Sequence, residues 1–253
     1  MIQRNLRSLA LAAFAAPLAL ALTACGSGGS EDGAAPSGEK LEKITPAAGT
    51  TWSEQVAKSK DGGYVMGNPE APIKLVEFAS LTCPHCGEFA EKSKTELRKT
   101  FVDSGRVSFE FRNYVRDAID LTAAQLTRCA APENFFALTE QVFLNQEAMF
   151  AKAADVGAAA YTAAMEAPET KRGQAIADLT GLGDFFAARG VSKDQSAACL
   201  ANAADAQALA KATQDFTTEF GITGTPTFLL NGRKLDVNAW PEIKAALETA
   251  GAR

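Results

Sequence analysis

The residues of this 253-residue chain whose type and spacing can do chemistry are Cys83 and Cys86, in the run Cys83-Pro84-His85-Cys86. Two cysteines separated by two residues bring their sulfurs to one face of a helix's first turn, near enough for a small, reversible disulfide. If Cys83 opens the helix, free N–H groups and the positive end of the macrodipole favour its thiolate, the reactive form. Pro84 suits the first helical position, where no N–H is required. His85, the single histidine of the chain, can add positive charge or a hydrogen bond; the bland alternative is an exposed loop residue. The same pair could be an inert bridge or half a zinc site, but no second close pair of cysteines follows to complete four ligands. No metal and no cofactor is therefore expected.

Three more cysteines need places. Cys25 closes Leu22-Thr23-Ala24-Cys25, behind a leader with two Arg, no acid and an apolar run from Leu9 to Leu22. That is an export signal, and its last four residues resemble a bacterial lipobox, in which the cysteine is lipidated after cleavage. Residues 1–24 are read as a lipoprotein signal peptide and Cys25 as the lipidated residue. An ordinary cleaved signal or an uncleaved anchor are the alternatives, the run being short for a span of about 20 residues. Setting Cys25 aside leaves an even number of cysteines in a chain bound for an oxidising compartment. Cys129 and Cys199 are assigned to a structural disulfide, with two buried free thiols as the alternative.

The formal charge of −5, and the lack of any long Lys or Arg run, argue against a nucleic-acid surface. Removing the leader leaves 23 basic against 30 acidic residues, so the mature chain is more acidic still. Residues 25–50 are rich in Gly, Ser, Ala, Pro and charge, with Leu41 and Ile44 as their large apolar residues. Such a stretch buries too little to order itself and reads as a flexible tether.

The elements that must position the cysteine pair follow the tether. Ile73 to Ala79 is a strand, ending just before Cys83 and a helical run to about Phe101. Val107 to Phe111 alternates with period two and gives a second strand, parallel to the first if a helix joins them. From about Asp117 to Phe220 the chain is rich in Ala, Leu, Phe and Gln, and reads as several helices broken near Pro132, Pro168 and Gly181 to Gly183. Thr227 to Leu230 and Arg233 to Leu235 flank Asn231-Gly232, a two-residue hairpin signal. A last helix runs from about Trp240 to Ala250.

A βαβ unit, a helical block and a ββα ending make an α/β thioredoxin fold with a helical domain inserted between its two halves. The boundaries are 51–116 for the first part, 117–218 for the insertion and 219–253 for the second part. With Glu77-Phe78 six residues before Cys83, and Gly224-Thr225-Pro226-Thr227-Phe228 before the hairpin, the chain resembles the DsbA family of the thioredoxin superfamily. The resemblance implies that Pro226 is cis and faces the cysteine pair. It implies that Glu77 is the buried carboxylate that relays a proton to Cys86; a solvated edge-strand Glu is the alternative. Thr225 stands where the best-known oxidases of the family have Val, and looks more like the isomerase branches. The function implied is disulfide introduction into reduced exported proteins, with a membrane redox partner that resets the active site. The site is periplasmic, held to the membrane by the lipid anchor. The alternatives are a reductase or isomerase using the same residues, or a tethered copper-binding module. Isomerases of the superfamily usually carry a sizeable N-terminal dimerisation domain, where residues 26–50 look like a tether.

Overall fold

The computed structural model describes residues 38–253. The leader, Cys25 and residues 26–37 of the expected tether lie outside the described residues. In chain order come β1 (Val56–Lys58), β2 (Tyr64–Gly67), β3 (Ile73–Ala79), α1 (Pro84–Glu96) and β4 (Val107–Asn113). The helical block follows as α2 (Ala118–Cys129), α3 (Phe135–Leu144), α4 (Gln146–Met165), α5 (Glu169–Thr180), α6 (Leu182–Ala187), α7 (Lys193–Leu200) and α8 (Ala203–Phe220). The chain ends with β5 (Thr227–Leu230), β6 (Arg233–Lys234) and α9 (Trp240–Leu247).

The six strands form one sheet in the order β1-β2-β4-β3-β5-β6. β3 is central because its Ile, Leu, Val and Phe side chains can be buried on both faces, and all of it except Lys74 is buried. The α1 crossover makes β3 and β4 parallel, in register from Ile73 opposite Val107 to Ala79 opposite Asn113. On its other side β3 pairs antiparallel with β5, placing Phe78 opposite Thr227. The start of β5 is thereby set beside the end of β3, from which the cysteine motif departs.

Three features differ from the sequence reading or add to it. β1 and β2 form a hairpin at the sheet edge, which three-residue Val56–Lys58, with one Lys and little alternation, does not announce. The available signal is Asp61-Gly62-Gly63 ahead of Tyr64-Val65-Met66: Gly62 has φ +81°, and a Cβ on Gly63 would lie 2.6 Å from the Phe111 carbonyl oxygen. The described part of the expected tether is docked rather than free. Gly38, Leu41 and Ile44 donate backbone hydrogen bonds to Thr249, Gly251 and Ser104, and buried Arg106 donates to the Leu41 carbonyl at 3.2 Å. Leu41 packs on the core. Composition counted two apolar residues and could not count these backbone bonds. The helical block breaks at the places read from the sequence, with Gly181 at φ +71° between α5 and α6, and also at Asn145, between Ala187 and Lys193 and at Ala201-Asn202, which the sequence reading does not mark; its last helix runs to Phe220, just past the expected boundary at 218. Across the block the Cys129 and Cys199 sulfurs are bonded, their Cα atoms 6.0 Å apart.

Candidate active site

The β3–α1 turn delivers Cys83 to the position just before α1, with extended backbone (φ −88°, ψ 119°), and Pro84 to the first helical turn. Pro84 has no N–H to leave unsatisfied there. Both cysteines are free thiols with little exposure, Cys83 at 3% and Cys86 at 0%. His85 points outward, 79% exposed at the side chain, with Nδ1 3.7 Å from Glu88 Oε2. From across the sheet the Gly224-to-Thr227 loop closes over the pair. The Thr225–Pro226 peptide is cis, and Cys83 Sγ donates to the Thr225 carbonyl oxygen at 3.2 Å.

The two sulfurs sit in opposed environments. A hydrogen bond from Cys86 draws the Cys83 thiol down to about 4, against the opposing effect of burial. Thr225 and the backbone N–H groups of Cys86 and His85 act in the same lowering direction. The Thr225 hydroxyl is buried with no oxygen or nitrogen partner of its own, so its hydrogen is available to a Cys83 thiolate. Burial pushes the Cys86 thiol up, reinforced by its hydrogen bond to Cys83 and by the nearby Glu77. Glu77, 3% exposed on β3, is itself pushed up to about 8, first by burial and then by the charge of Cys83. One thiolate, one thiol and one protonated carboxyl are thus the stable set near neutral pH.

Sequence reasoning missed the residues that hold the turn. Leu81 is gripped at both ends by the helical block. Its N–H donates to Asp120 Oδ1 at 2.8 Å, and its carbonyl accepts from Gln146 Nε2 at 2.8 Å. The same Gln146 nitrogen donates to the Cys83 carbonyl at 3.0 Å. Asp117 caps α2 by accepting from the Asp120 N–H and also takes the Thr82 hydroxyl at 3.0 Å. Asp120 is 1% exposed, and burial raises it to about 7 against hydrogen bonds from Ser80, Arg116 and Leu81. An Asp at a helix start and a Gln at the head of α4 carry no sequence pattern that points 35 or 63 residues back along the chain. Among the described residues no cluster of three or more His, Cys, Asp or Glu side chains is placed to hold a metal, and no helix is long and apolar enough to cross a membrane.

A thioredoxin family model matches residues 59–249. Among solved structures, a protein-disulfide isomerase from Novosphingobium aromaticivorans is 36% identical, with a TM-score of 0.70 over 74% of this chain and 98% of that one. The Wolbachia pipientis alpha-DsbA1 structure shares the fold at 21% identity and a TM-score of 0.59, over 75% of this chain and 90% of that one. A Rickettsia bellii protein, provisionally named a protein-disulfide oxidoreductase, is 25% identical over 193 residues, which are 76% of this chain and 66% of the relative. The chain therefore spans just under two thirds of that relative's length. Match, fold and motif agree that the chain belongs to the thioredoxin family, in the DsbA-like form whose two halves are separated by a helical block.

Proposed function

We propose that the protein is a thiol–disulfide oxidoreductase that introduces disulfides into exported proteins by cycling Cys83 and Cys86. The observation that carries this reading is the asymmetry of the two sulfurs, Cys83 lowered to about 4 and Cys86 raised. In the oxidised enzyme a substrate thiolate attacks the Cys83 sulfur. The Cys83–Cys86 bond breaks, Cys86 leaves as a thiolate and takes a proton from Glu77. A second substrate thiolate then attacks the substrate sulfur of the mixed disulfide, and Cys83 leaves as a stable thiolate. The substrate ends with a disulfide and the enzyme holds both electrons until a membrane redox partner removes them.

The energetics favour this direction. A thiol at about 4 in the fold and about 8.5 when unfolded stabilises the reduced state by roughly 4 kcal/mol at pH 7. At about 1.4 kcal/mol per 30 mV that makes the disulfide more oxidising by on the order of 90 mV. Redox titration against glutathione tests the proposal. A potential well above that of thioredoxin, about −270 mV, supports an oxidase, and one at or below it sinks the reading. Isomerase is the second reading, favoured by Thr225 and by the description of the Novosphingobium neighbour; refolding of a scrambled disulfide substrate separates the two.

The leader and Cys25 support a periplasmic lipoprotein bound to a membrane, where reduced exported substrates and the redox partner are met. Cys25→Ala should move the protein to the soluble fraction. A variant that stays with the membrane at high salt would rule the anchor out.

A further inference from the structure

The backbone of Ser80, the residue that follows β3, touches both active cysteines. Ser80 is 0% exposed, and its carbonyl oxygen accepts from the Cys83 N–H at 3.1 Å. Its own N–H donates to no oxygen among the described residues and is turned to the Cys86 sulfur. Buried backbone N–H groups are nearly always paired, so the sulfur is the acceptor this donor is held for. Burial, Cys83 and Glu77 all oppose a charge on Cys86, and the Ser80 N–H acts the other way.

The inserted block fixes this peptide from one side. The Ser80 hydroxyl donates to Asp120 of α2, a side chain 1% exposed that also accepts from the Leu81 N–H at 2.8 Å and the Arg116 N–H at 2.9 Å. Ser80 Oγ accepts in turn from the Thr82 N–H at 3.2 Å, and the Thr82 hydroxyl donates to Asp117 at 3.0 Å. The neighbours of the Ser80 N–H are therefore all engaged with α2, and that N–H alone faces the reacting sulfurs.

We infer that the Ser80 N–H is the group that receives Cys86 as it leaves the disulfide, and that Asp120 is the residue that positions it. The inference rests on the exchange proposed above. As the substrate thiolate bonds to the Cys83 sulfur, the Cys83–Cys86 bond breaks and its electron pair stays on Cys86. That sulfur is charged in a closed interior until a proton reaches it from Glu77. A fixed donor aimed at the place where charge develops lowers the barrier, and a leaving thiol whose thiolate is stabilised departs faster. In the reverse step the same bond favours the Cys86 thiolate that attacks the mixed disulfide. Cys83 is served by other donors, Thr225 and the N–H groups of Cys86 and His85 among them, so the two sulfurs can be perturbed separately.

The test replaces the Ser80 amide by an ester in the full chain, through the α-hydroxy analogue of serine, which keeps the side chain and removes the N–H. Reduction of the oxidised enzyme by glutathione should slow about tenfold, the ratio expected for one hydrogen bond to a charged group. Alkylation of Cys83 in the reduced enzyme should keep its rate and its pH profile. Asp120→Ala and Asp120→Asn give a second reading that does not depend on the ester folding. Asp120→Ala should slow the same reduction with the Cys83 profile in place, and Asp120→Asn, which keeps an oxygen for the Leu81 N–H, should restore most of the rate. An ester variant reduced at the wild-type rate overturns the role of the N–H. Asp120→Asn as slow as Asp120→Ala, or a Cys83 profile displaced in either, overturns the positioning role. A wild type that forms no mixed disulfide at Cys83 would sink the exchange reading itself, an outcome distinct from a wild type that exchanges and an ester variant that exchanges equally fast.

Discussion

Cys83 and Cys86 are the same residue type one helical turn apart, and their difference comes from what each sulfur meets. Cys83 meets hydrogen-bond donors, and Cys86 meets a closed interior and Glu77. Because the folded Cys83 is lowered, its stabilising effect is fully present above the unfolded value of about 8.5 and is lost as pH falls through about 4. Glu77 and Asp120 act in the opposite sense: raised to about 8 and about 7, they give stability that is complete at low pH and lost as pH rises through those values. The total stability of the reduced protein is therefore a poor reporter of Cys83. The difference between reduced and oxidised protein is a better one, since both forms carry Asp120 and a Glu77 raised mainly by burial, and one alone carries the thiolate. Urea unfolding of both forms should show the reduced protein losing about 4 kcal/mol relative to the oxidised one between pH 7 and pH 4. A difference that is flat across that range would mean that Cys83 is not lowered.

At the scale of elements, what was legible in the sequence was what local pattern controls. β3 announces itself by its apolar run, α1 by Cys83-Pro84 at its head, the β5–β6 hairpin by Asn231-Gly232, and the breaks in the helical block by Pro and Gly. The residues gripping the β3–α1 turn were not legible, because Asp120 and Gln146 acquire their partners only when α2 and α4 pack beside it. Docking of Leu41 and Ile44 escaped for the same reason, its backbone bonds being made to Gly251 and Ser104, both distant along the chain. The grip of Gln146 predicts a graded series. Gln146→Ala strips the donor from the buried Leu81 carbonyl, while the Cys83 carbonyl keeps its bond from the Gly87 N–H. One unsatisfied buried carbonyl should cost about 1–3 kcal/mol. Gln146→Glu should cost more at pH 7, because a carboxylate offers no hydrogen and faces two carbonyl oxygens. Thermal unfolding of the three proteins checks the order, and equal stability of all three would show that the turn holds itself.

For the whole molecule, the helical block is both a cover and a constraint on the thioredoxin halves it separates. Its side chains reach the turn before Cys83 from α2 and α4, and its own helices are closed by the bond between Cys129 at the end of α2 and Cys199 on α7. The bridge spans 70 residues of chain, and neither of its cysteines is among the groups that shift Cys83 or Cys86. In the chain-entropy account a loop of that length removes about 4 kcal/mol of freedom from the unfolded state. Replacing both Cys129 and Cys199 with Ser should therefore lower the Tm by on the order of 10 °C for a domain of this size. Thiol exchange at 25 °C should change little, since the hydrogen bonds at Cys83 come from Cys86, Thr225 and the head of α1. The two measurements must part company for this account to hold. If the double variant melts like the wild type, the block is held by its packing and the bridge adds nothing. If instead exchange at Cys83 slows in step with the loss of stability, the bridge is tensioning the Gln146 and Asp120 contacts, and the block is an active part of the site.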